Sequence, residues 1–274
     1  MKLLVVTPTL GNSPWLGETV ASVAVAGEGG DHEHVLVAPA SAVAELRERF
    51  PRTTVIAEPV GGAGMYAAIN AGATAGRAWH VMTYLNDDDV LLPRFSKVMQ
   101  VAADAVAEGR EMIVYGGVRL IDAKGRSIGD IPISRFSSMN PDLYSERLEP
   151  VFQHGTVVTR ALWDRLGGFD AAFRYCGDSE FLARACVSGA ATVCACGAAV
   201  AAFRLRAGQL TKNRAAMEEE RARVDVKLRL LDGGRTVRRR WARLIFRITN
   251  LPVYAERVAR HGFVTFDELL ERGG

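Results

Sequence analysis

The sequence predicts an α/β fold: a Rossmann-like, mostly parallel central sheet flanked by helices, with a helical C-terminal extension. Three observations carry that expectation. Over positions 1–110, short runs rich in Val, Ile and Leu alternate with helix-like stretches of about ten residues, the rhythm of βαβ units. The segments that pass from strand to helix hold Gly and Pro, as in 8–14 and 58–64. Near the C-terminus the strand-like runs give way to charged, helix-like segments. A chain of 274 residues suits one large α/β domain with an appendage, placed here at 1–215 and 216–274.

The elements follow in order. Residues 3–7 read as a strand, and 14–26 as a helix with Ser13 as N-cap and Pro14 in its first turn. A second strand spans 34–38, Ser41 is placed to cap a helix through Phe50, and a third strand spans 53–57. A glycine-rich turn leads into a helix over 65–74, then a strand over 81–85, then a helix from Pro93 to about Ala107. The rhythm changes after 110. A strand at 112–117 precedes a hairpin whose arms, 118–122 and 127–131, flank Ala123-Lys124-Gly125-Arg126. Residues 135–150 read as an irregular loop, 153–159 as a strand, and 160–166 as a helix stopped by Gly167-Gly168. A helix at 178–188, a strand at 191–196 and a charged helix at 213–231 complete the series.

Composition narrows the function classes. Hydrophobic residues make up 49% and charged residues 24%, which excludes whole-chain disorder, collagen and coiled coil. No apolar run approaches the roughly 20 residues that a membrane span requires. The segment Met1–Pro8 is too soon broken to act as a signal peptide, so the expected location is cytoplasmic. A net charge of +3 does not by itself call for nucleic acid. Cys176, Cys186, Cys194 and Cys196 are too few for a disulfide scaffold and lack zinc-site spacing, and the last two alternate along an apolar run, so those two are expected to pack in the core.

Chemistry concentrates in three motifs. Asn86-Asp87-Asp88-Asp89 follows the carboxyl end of an apolar strand, where open α/β sheets bind ligands. Adjacent carboxylates repel, and a hard cation such as Mg²⁺ or Mn²⁺ relieves that; the other reading is a solvated turn ahead of a helix. Glu58 to Asn70 places glycines between a strand and a helix start, which suits an anionic ligand. Within it, Gly62, Gly64 and Ala67 fit the spacing of a dinucleotide fingerprint, but after the third strand rather than the first. Finally, Asp178 and Glu180 open a helix, either to complement its dipole or to supply a general base.

Taken together, Val6-Thr7-Pro8-Thr9, Gly61-Gly62 to Asn70, Tyr84-Leu85-Asn86-Asp87-Asp88-Asp89, His154-Gly155-Thr156, Leu166-Gly167-Gly168-Phe169-Asp170 and Gly177-Asp178-Ser179-Glu180-Phe181 resemble a family-2 glycosyltransferase over roughly residues 1–215. The resemblance implies a GT-A fold, with a nucleotide-binding half at about 1–110 and an acceptor half at about 111–215. It also implies a nucleotide-sugar donor, Mn²⁺ or Mg²⁺, inversion at the anomeric carbon, and a carbohydrate, lipid-linked or small-molecule acceptor. On the matching positions, Thr7, Pro8, Thr9, Glu58, Gly61, Gly62, Tyr66, Asn70, Asn86, Asp87 and Asp88 would bind the donor. Asp89 would be the leading metal ligand with Asp88 beside it, Asp178 the catalytic base, Glu180 an acceptor-seating carboxylate, and His154 would face the donor sugar or acceptor. Arg204 and Arg206 are candidates for the diphosphate, with a solvated surface position as the other reading. One departure bears on the nucleotide: Ala38 occupies the place of the family's base-reading aspartate, and an alanine side chain accepts no hydrogen bond, which argues against UDP. A catalytically inactive nucleotide-sugar-binding protein is a second reading, and an NAD-type dehydrogenase a third.

Val237, Trp241, Leu244, Ile245 and Ile248 follow helical spacing among Arg238, Arg239, Arg240, Arg243 and Arg247. Such a helix over 235–248 either packs its apolar stripe on the main domain or lies on an anionic membrane.

Overall fold

A computed structural model describes residues 1–61, 64–135, 143, 148, 151–206, 209, 213–230, 237–264 and 268. The expected α/β sheet is present. Strands β1 (Lys2–Pro8), β2 (Asp31–Ala38) and β3 (Thr54–Ala57) alternate with helices α1 (Leu16–Ala26), α2 (Val43–Arg49) and α3 (Gly64–Ala75). There follow β4 (Val81–Tyr84), β5 (Val90–Leu91), α4 (Phe95–Ala107), β6 (Met112–Ile121), β7 (Ser127–Asp130), β8 (Val157–Thr159), α5 (Arg160–Leu166), α6 (Gly177–Val187) and β9 (Ala191–Arg204). Helices α7 (Arg214–Leu228), α8 (Val237–Thr249) and α9 (Leu251–His261) close the series.

One sheet runs in the order β3-β2-β1-β4-β8-β6-β9-β5, with β7 beside β6. Strands β1 to β4 are mutually parallel, as are β6 and β9; β5, β7 and β8 pair antiparallel. Alternation along β1 builds a core on each face. Leu4 and Val6 pack with α3 on one side, while Leu3 and Val5 pack with Phe95 and Val98 of α4 on the other. Helix α3 lies close on the sheet because Gly72 has no side chain: a Cβ there would sit 2.4 Å from Val6 Cγ1. The neighbouring carboxyl ends of β1 and β4, joined through Leu85 N–H to Val6 O at 3.0 Å, open the crevice in which the acidic turn lies.

Several boundaries differ from expectation. Helix α1 starts at Leu16, so Ser13 stands one turn ahead of it; its hydroxyl accepts from Trp15 N–H at 3.3 Å and donates to Asp87 O at 2.8 Å, which ties the first turn to the acidic one. Ser41 lies in a 3-10 turn, Ala40–Ala42, and makes no side-chain cap for α2. Residues 112–117 and 118–122 are not two strands but one, β6, through Ile121. Only 157–159 of the expected strand 153–159 is extended, because Thr156 N–H turns back to Gln153 O at 3.0 Å. Strand β9 runs on through Arg204 instead of ending at Cys196. Most of the loop expected at 135–150 lies outside the described residues.

Candidate active site

A cleft of about 620 Å³ opens over the carboxyl ends of β1 and β4. Its lining includes Pro8, Thr9 and Trp15 from the β1–α1 segment, Asp87 and Asp88 from the turn after β4, and Tyr66, Gln153, His154 and Asp178. Two acidic groups stand in its polar lining.

The first is the acidic turn. Asp87 accepts a hydrogen bond from Thr9 Oγ1 at 2.5 Å, and burial holds its carboxyl above the usual range. Asp88 pairs with Arg206 Nε at 2.5 Å. Burial, reinforced by the charge of Asp89, pushes the Asp88 carboxyl up to about 6 against the opposing pull of Arg206. Asp89 is fully buried and shut away from the cleft. Its Oδ2 meets Asn86 Nδ2 at 2.9 Å and His154 Nε2 at 3.0 Å, and its Oδ1 accepts from Arg204 N–H at 2.9 Å. Three partners satisfy a carboxylate that could not otherwise stay buried.

The second is Asp178, at the start of α6. Its carboxylate accepts from Tyr66 Oη at 3.1 Å and from Tyr84 Oη at 3.4 Å. Both phenols are buried, and burial together with the adjacent Asp178 charge raises their ionisation well above the ordinary value, so they act as neutral donors. Gly177 permits this packing: a Cβ there would sit 2.6 Å from the Tyr66 ring.

The structure brings Pro8, Thr9, Glu58, Tyr66, Asn86, Asp87, Asp88, His154, Asp178 and Arg206 to the cleft. Other expected site residues go elsewhere. Thr7 is buried behind it, bonded to His34 Nε2 at 2.9 Å. Asn70 clasps the Phe169 backbone, donating to its O at 2.8 Å and accepting from its N–H at 3.0 Å. Glu180 is fully buried between Arg184 at 2.8 Å and Lys227 at 2.7 Å, and does not line the cleft. Arg204 is neither solvated nor at the cleft. It is 1% exposed, with its guanidinium on Asp88 O at 2.8 Å and Glu18 at 2.5 Å, and so braces the acidic turn from beneath. Asp89, expected as the leading metal ligand, has the buried setting given above. Gly61 is exposed without lining the cleft, and Gly62 lies outside the described residues.

Among the lining residues that sequence reasoning missed are Trp15, Gln153, Arg174 and Tyr175. Trp15 carries Arg206 over its ring at 5.7 Å. Gln153 is buried with both ends of its amide unpaired, and His154 Nδ1 is unpaired as well. An unmet buried polar group costs about 1–3 kcal/mol, which a ligand offering hydroxyls would recover. Gln153 immediately precedes the quoted His154-Gly155-Thr156 motif, which was the available signal.

Among the described residues, no group of three or more His, Cys, Asp or Glu side chains is placed to hold a metal alone. Asp87 and Asp88 offer two carboxylates at the cleft, a donor set that suits Mg²⁺ or Mn²⁺, ions that commonly take one or two carboxylates and complete their shell with phosphate oxygens and water.

Fold and cleft together define the GT-A class of architecture seen in nucleotide-sugar glycosyltransferases. Among solved structures, the chain is similar to S. aureus TarS 1–349 in complex with UDP, at 14% identity and TM-score 0.60, over 98% of this chain and 77% of that one. A second S. aureus TarS structure aligns at 13% identity and TM-score 0.59, and the chain spans 45% of its length; in another TarS 1–349 structure it spans 60%. Mannosyltransferase PcManGT from Pyrobaculum calidifontis, in complex with GDP-Man and Mn²⁺, aligns at 17% identity and TM-score 0.55, over 99% of this chain and 79% of that one. No protein-family model matches the chain, and no curated protein matches it by sequence.

Proposed function

We propose that the chain is a metal-dependent, inverting glycosyltransferase that moves a sugar from a nucleotide-sugar donor to an acceptor hydroxyl, in polysaccharide, glycolipid or other glycoconjugate synthesis. One observation carries the reading: a single cleft joins a carboxylate–arginine pair, Asp88 and Arg206, to a separate carboxylate, Asp178, held by two neutral phenols. The first suits a diphosphate leaving group and the second an attacking hydroxyl. In this reading residues 1–215 are the catalytic domain, with a nucleotide-binding half to about 110, and 216–274 are the extension.

Asp88, with Asp87 beside it, would hold a divalent cation; when bound, that ion supplies positive charge to the departing diphosphate. Arg206 binds the diphosphate through its forked donors once drawn from Asp88. Asp89, Asn86 and Arg204 keep the turn in shape. Asp178 takes the proton from the acceptor hydroxyl as its oxygen attacks the anomeric carbon, and Tyr66 and Tyr84 orient that carboxylate. Gln153 and His154 Nδ1 bond sugar hydroxyls. Glu58, at the rim, supplies the acceptor for a base edge that Ala38 lacks, which leaves a UDP or a GDP donor open to this site. The expected location is cytoplasmic, against the inner face of a membrane.

The test is a thermal-shift and turnover panel of UDP-, GDP-, dTDP- and CDP-sugars, with and without Mn²⁺. A sugar-specific, Mn²⁺-dependent shift with release of nucleoside diphosphate supports the reading. Absence of any shift across the panel overturns it, and a shift without turnover favours an inactive nucleotide-sugar binder.

A further inference from the structure

Helix α8 divides its surface between the main domain and solvent. Helix α8 packs through Arg239, Phe246 and the residue after its end, Asn250. Arg239 is buried and donates to Leu230 O at 2.9 Å, and Asn250 clasps Ile133 through both its backbone N–H, at 3.1 Å, and its O, at 2.8 Å. The apolar stripe faces the other way. Val237, Trp241, Leu244, Ile245 and Ile248 are 42–70% exposed, and Leu251 of α9 extends the line. At 3.6 residues per turn, Val237, Trp241, Leu244 and Ile248 share one face. Arg240 and Arg247 are exposed along its edge, and 237–249 contains five arginines and no acidic residue.

From this arrangement we infer that the outer face of α8 is a docking surface for an anionic lipid bilayer. Contiguous apolar surface edged by cations is the pattern of an interfacial helix: the stripe enters the headgroup–acyl boundary, Trp241 sits at that level, and the arginines reach anionic headgroups. A helix of 13 residues is about 20 Å long, enough to lie along the surface. None of the helices among the described residues is long and apolar enough to cross a membrane. Charge argues against a second copy of the chain as occupant, because a two-fold interface on this stripe would bring two arginine-rich edges together. The surface would hold the cleft beside lipid-borne acceptors, but the inference stands on α8 alone and does not depend on the chemistry of the cleft.

The experiment is co-sedimentation of the full chain with vesicles of pure phosphatidylcholine and of 3:1 phosphatidylcholine–phosphatidylglycerol. Light scattering gives its mass without lipid. Binding is expected to the anionic vesicles only. Trp241→Ser with Ile248→Ser should weaken it at least tenfold, since two large apolar side chains leave the interface. Arg240→Glu with Arg247→Glu should weaken it by more than about 25-fold, at roughly fivefold for each arginine. Both pairs are exposed, so melting temperature and nucleotide binding should hold. Absence of binding to anionic vesicles, or binding that either double variant leaves unchanged, overturns the inference. So does a dimer that Trp241→Ser with Ile248→Ser converts to monomer, which would make the stripe a contact between copies. Failure here with intact donor binding leaves the glycosyltransferase reading in place.

Discussion

Two acidic motifs of this chain each hold a carboxylate at the cleft beside one that is buried away from it. In the turn after β4, Asp88 faces the cleft with Arg206 while Asp89 is closed in by Asn86, His154 and Arg204. At the start of α6, Asp178 faces the cleft with two phenols while Glu180 is closed in by Arg184 and Lys227. The cleft-facing members keep capacity for a ligand, and the buried ones are satisfied by the protein itself. Residue type and proximity in sequence are alike in both motifs, so burial and partners divide chemistry from architecture.

The α6 pair offers the sharpest way to break this comparison. Asp178→Asn should lower turnover by about 10²–10⁴-fold, the range for loss of a general base, with donor affinity unchanged by calorimetry. Glu180→Gln should do the reverse. Removing one partner of a buried ion pair costs about 3–5 kcal/mol, so the denaturant midpoint should fall sharply while the folded fraction keeps its turnover. A Glu180→Gln protein of normal stability and lost activity would place Glu180 in the chemistry after all.

The acidic turn gives the next contrast. Asp88→Asn should weaken Mn²⁺-dependent donor binding at least tenfold without lowering the melting temperature. Asp89→Ala should lower stability by about 3 kcal/mol or more, because Arg204 N–H and Asn86 lose a buried acceptor. If Mn²⁺ affinity falls with Asp89→Asn while stability holds, the metal role returns to Asp89.

These contrasts also mark how far the sequence could be read. The alternation of apolar runs and helices made the sheet legible, since packing on both faces demands that pattern. The acidic turn, the Asp178 position and the glycine stop at 167–168 were legible too; Gly167 closes α5 at φ 76°. The direction of Glu180 was available but unused: two residues along a helix rotate a side chain about 200°, so a cleft-facing Asp178 turns Glu180 away. The orientation of Asp89 was not available. A turn has no periodicity, and two of the three groups that claim this carboxylate arrive from 65 and 115 residues away. The arrival of Arg204 was hidden by β9 itself. Gly116 and Gly117 of β6 face register shifts against it, and a Cβ at Gly117 would sit 2.7 Å from Gly197 O, so strict two-residue alternation fails midway.

pH separates the two classes of buried group by a smaller effect. His34, behind β1, is pushed down to about 3 by burial and then by the charge of His32. The folded state therefore refuses a proton that the unfolded chain accepts below about 6.5, and stability falls as pH drops through that window at roughly 1.4 kcal/mol per unit. Between pH 6.5 and 4.5 the loss should reach about 2–3 kcal/mol, and His34→Gln should flatten that slope in urea titrations. Asp88, raised to about 6, acts at the cleft instead. Its neutral form accumulates as pH falls below that value, so donor binding should weaken there even in the His34→Gln protein.

The finest test concerns the two phenols on Asp178. Tyr66 Oη lies at 3.1 Å and Tyr84 Oη at 3.4 Å, so Tyr66 makes the better bond. Neither phenol is proposed to touch the reacting atoms, and each should act by orienting the base. Tyr66→Phe then removes roughly 1 kcal/mol of hydrogen bonding, about fivefold in kcat, with KM for the donor unchanged. Tyr84→Phe should cost less, because a bond at 3.4 Å restrains the carboxylate weakly. Asp178→Asn should erase the difference between them, since without the base there is nothing left to orient. If Tyr66→Phe still lowers kcat in the Asp178→Asn background, Tyr66 contacts the substrate directly and the division between orienting and reacting groups falls on the other side of it.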